Sequence, residues 1–211
     1  IDFNHCIAKL NSGGKEYYIE LTSDKLPFNT FYDNLKNANY LHVKSEQSGQ
    51  KADLSYLNPP TRNLNQVSRK TEVRLEGTDV FVKKTTIKTG VFASSMRDSY
   101  RDLGQQDQFK EMQRAIAGDY NQTTLKSLKF SNLTGLSDTV QYTYEFFGPE
   151  ALAELGGMQV LALPWSEKAK SFDYNFTADR KYTMDLWNSE GDGEEESVEV
   201  ALPAGLILAE T

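Results

Sequence analysis

Val140, Tyr142, Tyr144 and Phe146 alternate with Gln141, Thr143 and Glu145. A strict period of two puts the bulky apolar side chains on one side of an extended chain and the polar ones on the other. Such a segment is a half-buried strand whose apolar face has to be covered by another layer. Residues 67–88 read as two more strands of this kind, folded about the turn signal Glu76-Gly77-Thr78-Asp79. Further strands are expected over residues 124–130, 158–163, 181–187 and 198–202. One interval has helical spacing instead: Met96, Tyr100 and Leu103, an interruption at Gly104, then Phe109, Met112 and Ile116, with Gly118 as the stop. A stripe like that is a sheet-packing face. Tyr and Phe number 11 each, which also favours strands. The expected fold is therefore mainly β, of α+β class: an antiparallel β-sandwich-like domain with one helical insert.

The N-terminal stretch FNHCIAKLNSGGKEYYIELT carries the chain's only arrangement that resembles catalytic machinery. A four-residue loop over Asn11-Ser12-Gly13-Gly14 places His5 directly opposite Glu20. A two-residue turn at Gly13-Gly14 places Glu20 opposite Ile7, and the pair then meets diagonally. In both registers the two side chains share a face, while Cys6, Ala8, Leu10, Tyr17, Ile19 and Leu21 form the apolar one. Cys6, the single cysteine, is thereby expected on the opposite side from His5. An imidazole held by a carboxylate is the base half of a nucleophilic triad.

Phe3-Asn4-His5, followed by the glycine turn and Tyr17-Tyr18-Ile19-Glu20-Leu21-Thr22, resembles the His-to-acid segment of the transglutaminase-like superfamily. These are papain-type enzymes whose order along the chain is Cys, His, Asp. The later part is similar to the C-terminal domain of unknown function that trails the core in multidomain bacterial proteins of this superfamily, notably of Bacteroidetes type. Gly90, the run Arg97 to Arg101, Arg180-Lys181-Tyr182 and the run Val198 to Gly205 carry that likeness. The resemblance implies catalytic roles for His5 and Glu20, a nucleophile in an upstream remainder of the core, and a periplasmic or cell-envelope location. Two departures stand out. The acid is Glu20 where the family usually has Asp, and only four residues precede His5 where the family's Cys lies well before it. Beginning with Ile1 rather than Met suits a fragment or processed form, inert by itself.

The resulting organisation is residues 1–45 as the end of a transglutaminase-like core, 46–65 as a polar linker with Gly49 and Pro59-Pro60, and 66–211 as the β-rich C-terminal domain. A net charge of −7 and the lack of a basic stripe argue against a nucleic-acid partner. No apolar run reaches the ~18 residues that a bilayer-spanning helix needs. One cysteine excludes an internal disulfide, and with only His5 and His42 beside it no zinc site of Cys and His is expected. No cofactor or metal is implied.

Other signals have plainer explanations. Glu190, Asp192, Glu194, Glu195 and Glu196 invite a calcium reading but lack a calcium loop's spacing, so a solvated hairpin turn is expected. Arg97 and Arg101, one helical turn apart beside Asp98 and Asp102, could grip an anion, but surface pairing along the helix is favoured. Asn121, Asn132 and Asn175 match glycosylation sequons, read as chance in a bacterial chain. Trp165 and Trp187 could line a groove or simply pack. Three functions compete: half of a thiol-dependent acyl-transfer or amide-hydrolysing enzyme, a non-catalytic β-rich binding or assembly module, and a module presenting a protein, peptide or envelope glycan to the core.

Overall fold

The computed structural model describes residues 5–30, 32, 35, 38–43, 52–57, 65–120, 122–166 and 193–205. In chain order the elements are β1 (Ala8–Ser12), β2 (Lys15–Ile19), β3 (Ala38–His42), β4 (Asp53–Leu57), β5 (Gln66–Glu76), β6 (Asp79–Thr89), α1 (Gly90–Tyr100), α2 (Gln105–Ile116), β7 (Thr124–Ser131), β8 (Thr139–Gly148), β9 (Leu152–Leu155), β10 (Met158–Leu161) and β11 (Gly193–Ala201). The fold is mainly β, of α+β class. Its centre is a five-stranded sheet in the order β11-β5-β6-β8-β7. Four strands pair antiparallel and β11 joins β5 in parallel. The layer over the sheet is supplied by α1 and α2.

Period-two patterning decides which face is covered. Register aligns Val200, Val73, Val82, Phe146 and Leu125 in one row across all the strands. Val73, Val82, Phe146 and Leu125 are buried there, packed with Ala93, Met96 and Tyr100 of α1 and Met112 and Ile116 of α2. The helical stripe read from the sequence is thus the covering face, and the break at Gly104 divides it into two helices. On the other face Glu72, Lys83 and Glu145 form a charged row, beside a Phe81–Phe147 ring pair 5.1 Å apart. Gly148 sits where β8 runs close to its neighbours: a Cβ there would stand 3.0 Å from Val80 Cγ1 and 3.2 Å from Tyr120 Cβ. Gly148→Ala is expected to lower stability by about 1–2 kcal/mol in denaturant melts, through overpacking; an unchanged midpoint would mean that this corner has slack.

Several sequence expectations change in the structure. Asp53–Leu57, inside the stretch read as linker, is strand β4 and pairs with β3. Leu152–Leu155, not anticipated, forms a hairpin with β10. Where it is described the acidic run is strand rather than turn: Glu194 and Glu195, both exposed, and Glu196, partly buried, belong to β11. Glu194 and Glu196 share the parity of Val198 and Val200, and each has a cation: Arg69 at 2.9 Å and Lys84 at 2.8 Å. Lys84 also donates to the Pro164 carbonyl at 3.1 Å. A buried lysine on a strand's inward parity requires such partners. The expected strand at 181–187, Arg180 to Tyr182, Glu190 and Asp192 lie outside the described residues.

Candidate functional site

Gly13 and Gly14 carry φ of +57° and +74°, the left-handed pair that a two-residue hairpin turn demands and that β-carbon-bearing residues resist. Ser12 consequently pairs with Lys15 and Ala8 with Ile19. Of the two registers open to the sequence, this is the one that sets Glu20 opposite Ile7, so His5 meets Glu20 diagonally. The contact is nonetheless close: His5 Nε2 lies 2.5 Å from Glu20 Oε2. Gly14→Ala should weaken the turn by about 1 kcal/mol, read as roughly fivefold faster hydrogen exchange of the β2 amides. Unaltered exchange would show that the turn does not set the register.

Glu20 is held from both sides. Its Oε1 accepts from the Thr22 amide at 2.9 Å and the Thr22 hydroxyl at 2.7 Å. The Glu20 side chain is 1% exposed and that of His5 29%. Burial alone would raise the carboxyl pKa, but the Thr22 hydrogen bonds, with the His5 contact, outweigh it and hold Glu20 below its ordinary value of 4.5. A carboxyl lowered on folding contributes stability above its unfolded pKa and loses it as pH falls through the folded one. Wild type should therefore exceed Glu20→Gln in stability at about pH 6, with the gap closing toward about pH 3. A gap that stays constant with pH would remove the ionised carboxylate from the account.

Cys6 is exposed and, among the described residues, makes no hydrogen bond with His5. Nor does His5 Nδ1 have a hydrogen-bond partner among them. Phe3 and Asn4 lie outside the described residues.

The segment after Glu20 is tied down. The Tyr18 amide donates to Asn29 Oδ1 at 3.1 Å, with Asn29 itself left-handed at φ +57°. Tyr17 packs on Phe28 with ring centres 5.5 Å apart, and Leu26 is buried. The loop also engages α1, which for Arg97 replaces both sequence readings, whereas Arg101 adds loop contacts to a pairing along the helix with Asp102 at 3.2 Å. Arg97 is wholly buried and donates to the carbonyls of Lys25 at 3.3 Å, Asn132 at 3.3 Å and Ser137 at 2.7 Å. Arg101 donates to Asp24 Oδ2 at 2.6 Å and to the Asp24 carbonyl at 3.0 Å. Lys25 Nζ lies 3.2 Å from both Asp98 and Asp102. Neither arginine is a free anion grip.

Thr22 stood in the sequence pattern, but Asn29, Arg97 and Lys84 were not identified as anchoring side chains. Lys84 left a signal, since it shares the inward parity of Val80 and Val82. Arg97 left none beyond helical spacing. Asn132 is left-handed at φ +61° in the β7–β8 turn, whereas Asn121 and Asn175 fall outside the described residues. Trp165 is 45% exposed and Trp187 is outside them. Among the described residues no group of three His, Cys, Asp or Glu side chains could hold a metal ion, and no helix is long and apolar enough to cross a membrane. A trough of 640 Å³ on the outer sheet face, between Arg74, Phe81 and Lys83, excludes both His5 and Glu20.

No protein-family model, curated protein or solved structure matches the chain.

Proposed function

We propose that His5 and Glu20 are the base half of a thiol-dependent acyl-transfer or amide-hydrolysing centre of transglutaminase-like type, with the sulfur delivered by a segment outside these 211 residues. The observation that carries this is the hydrogen-bonded order Thr22, Glu20, His5. A carboxylate with one oxygen held by Thr22 and the other on His5 Nε2 leaves Nδ1 as the nitrogen for chemistry. In the first half-reaction Nδ1 takes the thiol proton as sulfur bonds to the acyl carbon. It then gives that proton to the departing amine as the carbon–nitrogen bond breaks, leaving a thioester. In the second, His5 takes a proton from an incoming amine or water, which bonds to the acyl carbon while the carbon–sulfur bond opens and the thiol is restored. Glu20 holds the imidazole's tautomer and stabilises its charged form throughout. The upstream core is the partner this mechanism requires, and a periplasmic or envelope location belongs to the same proposal.

The test is amide or amine turnover by the parent protein that carries the upstream thiol. His5→Ala should lower kcat/KM by about a hundredfold or more, whereas Cys6→Ser should leave it unchanged. Equal activity of wild type and His5→Ala, or a parent protein with no cysteine able to reach His5, would overturn the proposal.

One observation favours a second reading, a non-catalytic assembly module. The loop following Glu20 is committed to structural contacts with α1, as expected of a hairpin whose task is to dock. Under this reading His5→Ala changes no function of the parent protein.

A further inference from the structure

Between Glu20 and α1 runs a continuous line of contacts. The Glu20 carboxylate is oriented by Thr22. Two residues further on, Asp24 is grasped by Arg101 through both its carboxylate and its carbonyl. Lys25 turns in with its amide donating to Ser23 Oγ at 3.2 Å. Its carbonyl accepts from Arg97, and its ammonium reaches across to Asp98 and Asp102. Two residues of extended chain span at most ~7 Å, so a rigid hold on Asp24 and Lys25 restricts where Thr22 can be. Arg97 makes the hold directional. Among the described residues its acceptors are all carbonyls, and they come from two separate loops, so a buried guanidinium joins the dyad's loop to the β7–β8 turn. A planar fork suits that task, since its donors point in fixed, divergent directions.

We propose that Arg97 and Arg101 of α1 are positioning residues for the His5–Glu20 dyad, holding the Asp24–Lys25 turn and through it Thr22 and the Glu20 carboxylate. The proposal rests on the catalytic reading of that pair, and it assigns control of the dyad's geometry to the sheet domain. The Arg101–Asp24 contact is the adjustable part: Asp24 has a side chain 77% exposed, so salt screens it. The Arg97 contacts are enclosed and form the fixed part.

The experiment is NMR on the full chain, observing the His5 ring N–H proton that faces Glu20. A ring N–H held at 2.5 Å from a carboxylate should give a downfield, slowly exchanging signal. Arg101→Gln should speed its exchange by about tenfold, Asp24→Asn should give a smaller acceleration, and Arg101→Lys, which keeps a cation facing Asp24, should retain most of the protection. Added salt should act in the direction of Asp24→Asn. Exchange of β8 amides serves as the control and should stay unchanged. A His5 signal with the same shift and exchange rate in Arg101→Gln and Asp24→Asn overturns the proposal, as does the absence of the signal from wild type. If Arg101→Gln also disturbs β8, Asp24→Asn decides by the same criterion. Because the signal does not depend on turnover, the outcome separates from that of His5→Ala: clamp-dependent protection without any thiol chemistry sinks the catalytic reading alone.

Discussion

Phe146→Ala is expected to destabilise the sheet domain by about 4 kcal/mol, the range for removing a buried aromatic ring from a packed core. Phe146 is 2% exposed and central in the row formed with Val73, Val82 and Leu125. Its ring lies 6.2 Å from that of Tyr120 and 6.1 Å from that of Tyr144, so the void would be lined from both the sheet and the α2–β7 connection. Strands cannot close such a gap without breaking ladder hydrogen bonds, so little relaxation is available. The adjacent residue is the control. Phe147 points to the open face, half-buried beside Phe81, and Phe147→Ala should lower stability by only about 1 kcal/mol. Denaturant melts of both variants check this, and equal losses would mean that the outer face is also covered.

Arg97→Leu is expected to lower stability by about 3 kcal/mol or more. Leucine fills part of the volume but leaves the carbonyls of Lys25, Asn132 and Ser137 without their donor, and a hydrogen bond from a charged donor contributes about 1.5–3 kcal/mol. Burial and the neighbouring Arg101 cation push the guanidinium below its ordinary pKa, with Asp138 acting against them. Guanidinium still keeps its proton at neutral pH, so the site holds a charge solvated by peptide dipoles. Arg97→Lys should recover part of the loss, because a lysine can serve only some of three divergent acceptors. Limited proteolysis distinguishes this variant from Phe146→Ala: Arg97→Leu should expose the 22–30 loop to cleavage at denaturant concentrations that leave the sheet folded. A protected loop together with a loss under about 1 kcal/mol would show that water replaces the guanidinium without penalty.

Much of this is written locally. The alternation at Val140 to Phe146 marked both a strand and its buried side, and the glycines at 13, 14 and 77 marked turns where φ is positive. That His5 and Glu20 share a face followed from parity alone, in either register, and the turn geometry then chose between the registers. Charge density in the acidic run argues for a solvated turn, whereas the structure makes 194–196 strand, with Glu194 and Glu195 exposed and Glu196 partly buried. Glu194 and Glu196 are accommodated because Arg69 and Lys84 lie across from them. Helical spacing relates Arg97 to Arg101, whereas its partners belong to loops 72, 35 and 40 residues away.

Strand period, turn position, the helical stripe and the common face of His5 and Glu20 were determined by the sequence itself, because each depends on backbone sterics and side-chain direction over a few neighbouring residues. Only the tertiary structure decided that β11 lies parallel beside β5, that Glu196 meets Lys84, and that α1 grips the turn beyond Glu20. Those outcomes depend on which distant surface arrives opposite a charge, and the free energy of burying an ion is settled by that partner rather than by its neighbours along the chain.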